Sequence, residues 1–465
     1  MTYDFVIIGA GPAGEAAAYK ARSLDASVAI VDRRWFGGSC PHIGCVPSKA
    51  LLHAAQRHLS GGYAWSEASK RRDYMVNRPP DAPEPDDSSH VRALEDAGAH
   101  VVRGEARIVG VGRVAVTEDG STVVLETANV VVAVGSVSKR PPIEGLADAL
   151  PWTNREATLT RELPRSLLVL GGGPTGVELA QVYARFGVPT SIVQSGPRLV
   201  PTDHPRNSET LRFALERDGV AVRTGVRATR VQPHGGRDGA HAVILDDGST
   251  AEGHAILLAV GREFPVDELG LEHYGLDPSG RGGFPRDGRL RVAPGLWLAG
   301  DVAGPELHTH QGHYQGELAV RMALGEPIVP EYRALPRATY TDPETASVGL
   351  TLDQALAAGL DAFELVADFR HTAKGYSVEA ETGHVTIVVD RATRELVGAA
   401  MACPDASAAI HECVLAIRAR VPVEVLAETI HAFPSTSRIL NGLFAQAAGA
   451  LGLRGYATAA GAGSH

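Results

Sequence analysis

The sequence predicts an α/β chain made of two Rossmann-like dinucleotide-binding domains and a C-terminal α+β domain. Three observations carry this. Its 465 residues are more than one hydrophobic core accommodates. A strand–glycine turn–helix–strand unit occurs twice, the turns lying about 160 residues apart. From about Pro336 the pattern changes to alternating strands around one helix, with no glycine turn of that kind.

In the first unit, Tyr3 to Ile8 is an apolar run of strand length. The turn GAGPAG holds Gly9, Gly11 and Gly14, an Ala-rich helix follows, and the next strand, Ser27 to Val31, stops at Asp32. Glycines at this spacing permit a tight turn, close approach of a pyrophosphate and close helix–strand packing, and the acid suits a ribose. In the second unit, Ser166 to Leu170 is the strand. Gly171, Gly173 and Gly176 form the turn, Val177 to Phe186 the helix and Thr190 to Val193 the next strand. Here Gln194 stands where an acid would select NAD, so NAD and NADP both remain open; nearby Arg198 is either a phosphate ligand or a surface arginine. Asn77 to Ser88 is Pro- and Asp-rich and reads as an exposed loop between helices. Two apolar strands end alike, Val130 to Gly135 and Ala255 to Gly261, and return the chain to its sheets. The third domain contains a strand at His384 to Val389 and a helix near Ala406 to Ala419; the Gly/Ala/Ser-rich tail from Gly455 to His465 is expected to fray.

Composition narrows the function. Hydrophobic residues at 44% and charged residues at 21% exclude a mostly disordered chain. Acids outnumber bases 54 to 44, a net charge of −10 that argues against nucleic acid as the main partner. Four cysteines do not make a disulfide framework. The N-terminus reads as no signal peptide and no apolar run is long enough to span a bilayer, so no membrane insertion and a cytoplasmic location are expected.

The segment GGSCPHIGCVPSK, Gly37 to Lys49, is the sharpest signal. Cys40 and Cys45 are close enough to close a small ring at a helix start, where a thiol pKa is lowered. In a reducing compartment such a disulfide would be catalytic. The alternatives are a structural disulfide or metal ligands, but no second cysteine pair supplies the ligands a metal would need, and no metal is expected.

With GAGPAG, GGSCPHIGCVPSK, VVVAVGS, LGGGPTGVELA, LLAVGRE, LWLAGDVAG and ATYTDPETASVGLT in order along the chain, the sequence resembles the pyridine-nucleotide flavoprotein disulfide reductases, which include dihydrolipoamide dehydrogenases and mercuric reductases. The resemblance implies FAD and NAD(P)H as cofactors and a homodimer. It implies an FAD-binding domain over 1–149, an NAD(P)-binding domain over 150–267, a return of the FAD-binding domain over 268–333 and a dimerisation domain over 334–465. Gly9, Gly11, Pro12, Ala13, Gly14 and Asp32 would hold the ADP half of FAD, with Gly38 and Ser39 by the pyrophosphate and Ala133, Gly135 and Ser136 on the returning strand. Gly300 and Asp301 would meet the ribityl chain, and Leu307 and His308 would lie near the flavin. Gly171, Gly173, Pro174, Gly176, Gln194, Ala228, Val260 and Gly261 would line the nicotinamide nucleotide. Cys45 would face the flavin and Cys40 the substrate, with Lys49 near the flavin and paired with Glu178. Electrons would pass from NAD(P)H to FAD, to the Cys40–Cys45 disulfide, and on to a small-molecule acceptor.

One departure stands out. The family's C-terminal domain carries a His-Pro pair and, four residues after the Pro, a Glu, which together serve the interchange thiol as acid–base partner. The matching segment here, HAFPSTSR, has Phe433 and Arg438 in those places. Two histidines, His42 and His431, are candidate replacement bases, and Arg438 is a candidate for stabilising the Cys40 thiolate by charge. No C-terminal cysteine pair of the mercuric reductase kind is present, and Cys403 and Cys413 read as buried small residues. The expected acceptor is therefore a quinone or metal ion. The alternatives are a dihydrolipoamide dehydrogenase or other disulfide reductase with a relocated base, and a catalytically weak FAD-binding scaffold.

Overall fold

A computed structural model of the chain describes residues 2–277, 284 and 290–456. Of the expected frayed tail, residues 457–465 lie outside these, as do 278–283 and 285–289 of the expected FAD-domain return.

Each of the two glycine turns follows the carboxyl end of an internal strand that pairs in parallel with both neighbours. In the first, the strand Thr2–Ile8 runs between Val28–Asp32 and the end of Ser121–Val132, parallel to both. His100–Arg103 adds beyond Val28–Asp32, and Leu296–Leu298, from far downstream, pairs in parallel with Val130 to Val132. Parallel strands are covered on both faces and so read as unbroken apolar runs; Phe5, Ile7, Ile30 and Val131 are fully buried. The helices Pro12–Ser23 and Thr309–Ala323 cross at a pair of small residues. A Cβ on Gly316 would lie 2.1 Å from the Ala13 carbonyl oxygen, so only glycine lets the backbones meet there.

The second sheet has the order Ala221–Thr224, Thr190–Gln194, Leu167–Leu170, Ala255–Leu258, all parallel. Its helix begins at Pro174 rather than Val177 and ends at Arg185. Proline at the first helical position lets the glycine turn itself open the helix. The strands expected to reach Gly135 and Gly261 stop at Val132 and Leu258, since both glycines take positive φ (63° and 113°) and turn the chain. The loop after Asn77 does join two helices, Trp65–Met75 and Ser88–Asp96.

The third sheet is antiparallel, in the order Pro336–Thr339, Glu344–Gly349, Leu396–Cys403, His384–Asp390, Ala362–Asp368. The helices Ala406–Ala419 and Thr436–Ala450 cover it. Cys403 and Cys413 lie in this core, and burial pushes the Cys403 thiol up to about 12. Among the described residues no helix is long and apolar enough to cross a membrane.

Because the Gly316 contact holds the first glycine turn against a second helix, Gly316→Ala is expected to cost about 2 kcal/mol of stability. A thermal melt of the variant beside the parent checks this, and an unchanged midpoint would contradict the contact.

Candidate functional site

In the first glycine turn, a Cβ on Gly9 would lie 2.4 Å from the Ala133 carbonyl oxygen and one on Gly14 1.9 Å from the Gly9 carbonyl oxygen. Gly38 approaches from the cysteine segment so closely that its Cβ would meet the Gly11 Cα at 2.6 Å. No side chain caps the helix that starts at Pro12, which leaves its positive end for an anion. Asp32 accepts hydrogen bonds from the backbone N–H groups of Ala10 (2.9 Å), Arg34 (2.7 Å) and Trp35 (3.2 Å). Burial raises its pKa against those bonds. The second turn repeats the design. A Cβ on Gly171 would lie 2.2 Å from the Ala259 carbonyl oxygen and one on Gly176 2.1 Å from that of Gly171.

The cysteine segment folds as a short helix, Ser39–Ile43, a break at Gly44, and a long helix, Cys45–Leu59. Cys45 is thus the first residue of a helix, where the dipole favours a thiolate. Both cysteines are thiols here, hydrogen-bonded to each other. The Cys40 thiol donating to it brings the Cys45 pKa down to about 6 against burial, helped by Thr309, whose Oγ1 lies 3.4 Å from Cys45 Sγ, and by the Lys49 charge. The same bond pushes the Cys40 thiol up, so Cys40 keeps its proton.

Lys49 sits one turn further along the same helix. Its Nζ donates to Glu178 Oε2 at 2.7 Å, the glutamate side chain being only 5% exposed. Burial alone would lower the lysine's pKa; Glu178 more than offsets it and the pKa is raised. The other oxygen of Glu178 accepts the Tyr340 backbone N–H at 3.0 Å, and Lys49 Nζ stands 4.6 Å from the Tyr340 ring centre.

One continuous cleft of about 2510 Å³ joins all this. Of the residues the sequence singled out for cofactors, it is lined by Gly9, Gly11, Pro12, Ala13, Asp32, Gly38, Ser39, Ala133, Gly135, Ser136, Gly300, Asp301, Leu307 and His308. At its other end it is lined by Gly171, Gly173, Pro174, Gln194, Ala228, Val260 and Gly261, with Cys40, Cys45, Lys49 and Glu178 between. Gly14 and Gly176 are not on its wall; they are where helix and strand touch. The bare helix ends, the glycine close approaches and a cleft lined by both turns fit an FAD and a nicotinamide nucleotide.

Four further residues belong to the site. Thr309 touches Cys45, and Tyr340 closes over Lys49. Arg262 hydrogen-bonds the Ser136 carbonyl oxygen at 2.6 Å and the Ser136 hydroxyl, which itself donates to Asp301. Glu306 lies between His308 and Arg337; burial raises its pKa, but these two partners hold it down to about 2. Tyr340 and Arg262 fall inside recognisable motifs, and Thr309 directly follows Leu307 and His308, so their positions were readable even though their contacts were not.

Neither candidate replacement base is placed to serve Cys40 within the chain. His431 has both ring nitrogens engaged, Nε2 with Glu412 at 2.6 Å and Nδ1 with the Thr429 carbonyl oxygen at 2.8 Å. His42 is buried, bonded through Nδ1 to the Gly38 carbonyl oxygen at 2.8 Å and stacked on Trp35. Arg438 bonds Asn441. Arg198 is not at a phosphate site either: it donates to the carbonyl oxygens of Pro201 and Asp203 and to the Ser208 hydroxyl.

Comparison with known proteins agrees with this geometry. The profile of the pyridine nucleotide-disulphide oxidoreductases matches residues 3–318, and the dimerisation domain of the same group matches residues 335–442. The chain is 32% identical to a dihydrolipoyl dehydrogenase of Chlorobaculum tepidum over 94% of its own length and 96% of the relative's. It is 30% identical to that of Bacillus subtilis over 94% of each. Among solved structures, the Cu(II) complex of the HOCl-induced flavoprotein disulfide reductase RclA from Escherichia coli superposes with a TM-score of 0.85 at 25% identity, covering 96% of this chain and 99% of that one. LpdA from Mycobacterium tuberculosis superposes at 0.83 with 27% identity, covering 95% and 98%. The chain belongs to the pyridine nucleotide-disulphide oxidoreductases, enzymes that use FAD and NAD(P)H.

A Cys45 pKa near 6 sets a pH dependence. Cys45 is protonated below that value and a thiolate above it, so thiolate absorbance in the reduced protein is expected to rise through pH about 6. In Thr309→Val the rise should move to higher pH, because a donor to the thiolate is lost. Ultraviolet titration against a Cys45→Ser control measures both, and a midpoint left at the usual thiol value would refute the assignment.

Proposed function

We propose that this protein passes two electrons from a nicotinamide nucleotide, by way of FAD and the Cys40–Cys45 pair, to a quinone or a metal ion rather than to a dithiol-type substrate. The observation that carries this is the Phe433 and Arg438 pair where the family holds its His–Glu base, together with the prior engagement of His431 and His42. Phe433 is exposed and cannot move a proton.

Bound FAD supplies two-electron exchange between the nicotinamide and the disulfide. The chain's own residues do the rest. Gly9, Gly11 and Asp32 would hold the adenosine end, Gly14 packing the helix against its strand behind them, and Asp301, steadied by Ser136 and Arg262, would hold the ribityl part. Lys49 keeps its charge through Glu178 and lies beside Cys45. Cys45 is held as a thiolate and Cys40 retains a proton. When the disulfide re-forms, two electrons leave the sulfurs and the one proton, on Cys40, is released. A quinone takes up the two electrons with that proton and a second one from water, while two one-electron metal ions take the electrons and leave the single proton to water. In neither case must a histidine protonate a departing thiolate, the step at which a general acid is worth roughly 10²–10⁴-fold. RclA, solved as a Cu(II) complex, supports a metal ion as one such acceptor. The exposed Phe433 and Ile430 lie in the dimerisation domain and suit a homodimer contact; the absence of a membrane-spanning helix among the described residues suits a cytoplasmic enzyme.

The curated relatives, as dihydrolipoyl dehydrogenases, favour a second reading in which lipoamide is still the substrate. Steady-state turnover on lipoamide, quinones and Cu(II) separates the two. Fast lipoamide turnover at neutral pH would overturn the proposal. A gain-of-function variant sharpens the test: Phe433→His with Arg438→Glu is expected to raise lipoamide turnover by roughly tenfold or more if the missing base is what limits it.

A further inference from the structure

We propose that Gln194, Ser195 and Arg227 form a subsite for the 2′-phosphate of NADPH, so that this chain prefers NADPH to NADH. The proposal rests on the second glycine turn holding the nicotinamide nucleotide.

The two turns differ in the polarity of what they offer a ribose. In the first, Asp32 is a carboxylate, able only to accept hydrogen bonds when ionised. In the second, the same place in the unit is filled by Gln194. Its Oε1 accepts the Gly172 backbone N–H at 2.9 Å, just as Asp32 accepts that of Ala10. This contact fixes the amide's orientation, because the reverse would set one donor against another. The Nε2 group therefore points the other way, beside Gly196, where a built Cβ would come within 2.9 Å of it. Among the described residues it has no acceptor, although the side chain is 9% exposed. It is therefore a donor open to a ligand oxygen.

The neighbours are of the same kind. Ser195 lines the cleft and its hydroxyl makes no hydrogen bond among the described residues. Arg227 also lines the cleft, is exposed, and forms no ion pair among the described residues. Asp246 accepts the Arg227 backbone N–H at 2.9 Å and leaves the guanidinium unpaired. Asp246 itself does not line the cleft. Arg198 has its donors committed to Pro201, Asp203 and Ser208, and by that holds Pro201 and Thr202 at the cleft edge. An amide donor, a hydroxyl and a free guanidinium, with no carboxylate among them, match a phosphate dianion. A 2′-hydroxyl uses only one of the three.

Two fragments isolate the phosphate: adenosine 2′,5′-bisphosphate carries it and 5′-AMP lacks it. Calorimetric titration of the FAD-loaded protein with each gives the difference directly, without turnover. The bisphosphate is expected to bind tighter by about tenfold or more, and NADPH should displace both fragments. Arg227→Ala should remove most of that advantage while leaving the AMP affinity nearly unchanged, and Gln194→Glu should reverse the preference. Equal or weaker binding of the bisphosphate overturns the proposal. So does an Arg227→Ala variant that weakens both fragments alike, since that is a structural effect. No step involves Cys40, Cys45 or an acceptor, so failure here leaves the proposed acceptor class untouched.

Discussion

Glu178 is the point at which three parts of the chain are tied together. It belongs to the Pro174–Arg185 helix of the second nucleotide fold, yet one of its oxygens takes Lys49 from the cysteine helix and the other takes the backbone of Tyr340 from the third domain. A carboxylate 5% exposed is stable only if both oxygens are satisfied. The three domains must therefore meet in one register for it to be buried at all. Neighbouring contacts repeat the tie: Gln181, one turn on, exchanges hydrogen bonds with the backbone of Asp342, and Arg185 pairs with both Asp218 and Asp342. The Lys49 charge beside Cys45 is a consequence. Without Glu178, burial would favour the neutral amine, and the thiolate would lose a cation beside it.

The two cysteines have opposite tendencies for a local reason. Cys45 opens a helix and accepts a hydrogen bond from the Cys40 thiol, while Thr309 adds a second contact. Cys40 lies in a five-residue helix before the Gly44 break; Thr309 and the Cys45 backbone also donate to it, but the bond it gives Cys45, with its burial, outweighs them. The polarity of the pair is thus built from one chain alone. The resemblance implies a proton carrier from the C-terminal domain, and in the proposed function Phe433 and Arg438 stand in its place.

Much of this was legible in the sequence because each motif encodes a backbone requirement. GAGPAG and GGGPTG need glycine where a Cβ would strike a carbonyl oxygen, and the structure shows those collisions at Gly9, Gly14, Gly171 and Gly176. The strands read as apolar runs because parallel sheets are covered on both sides. The Val177 helix start was missed by three residues, because Pro174 was read as part of the turn rather than as a first helical residue. Thr309, Tyr340 and Arg262 were not assigned contacts for a different reason. Their partners Cys45, Glu178 and Ser136 are more than a hundred residues away in the chain, and no local period or spacing reports a contact made over such a separation. Likewise, the commitments of His431 and His42 depend on Glu412, Thr429, Gly38 and Trp35 being brought beside them.

Those commitments bear on what kind of chemistry the site can retain. An imidazole serves as a base only if one ring nitrogen is free to take a proton. A carbonyl oxygen can only accept, so Nδ1 of His431 must carry a proton towards Thr429, and Nε2 faces a carboxylate at 2.6 Å. To act on Cys40 it would have to abandon Glu412. Such a histidine is better suited to pinning the Ile430–Pro434 segment than to shuttling protons. On the proposed reading, the chain keeps the devices that make Cys45 a thiolate, and among the described residues neither His42 nor His431 is poised to return a proton to a substrate thiolate. An acceptor that leaves as a hydroquinone or a reduced metal ion asks for no such return, and in the proposed function this asymmetry is what selects it.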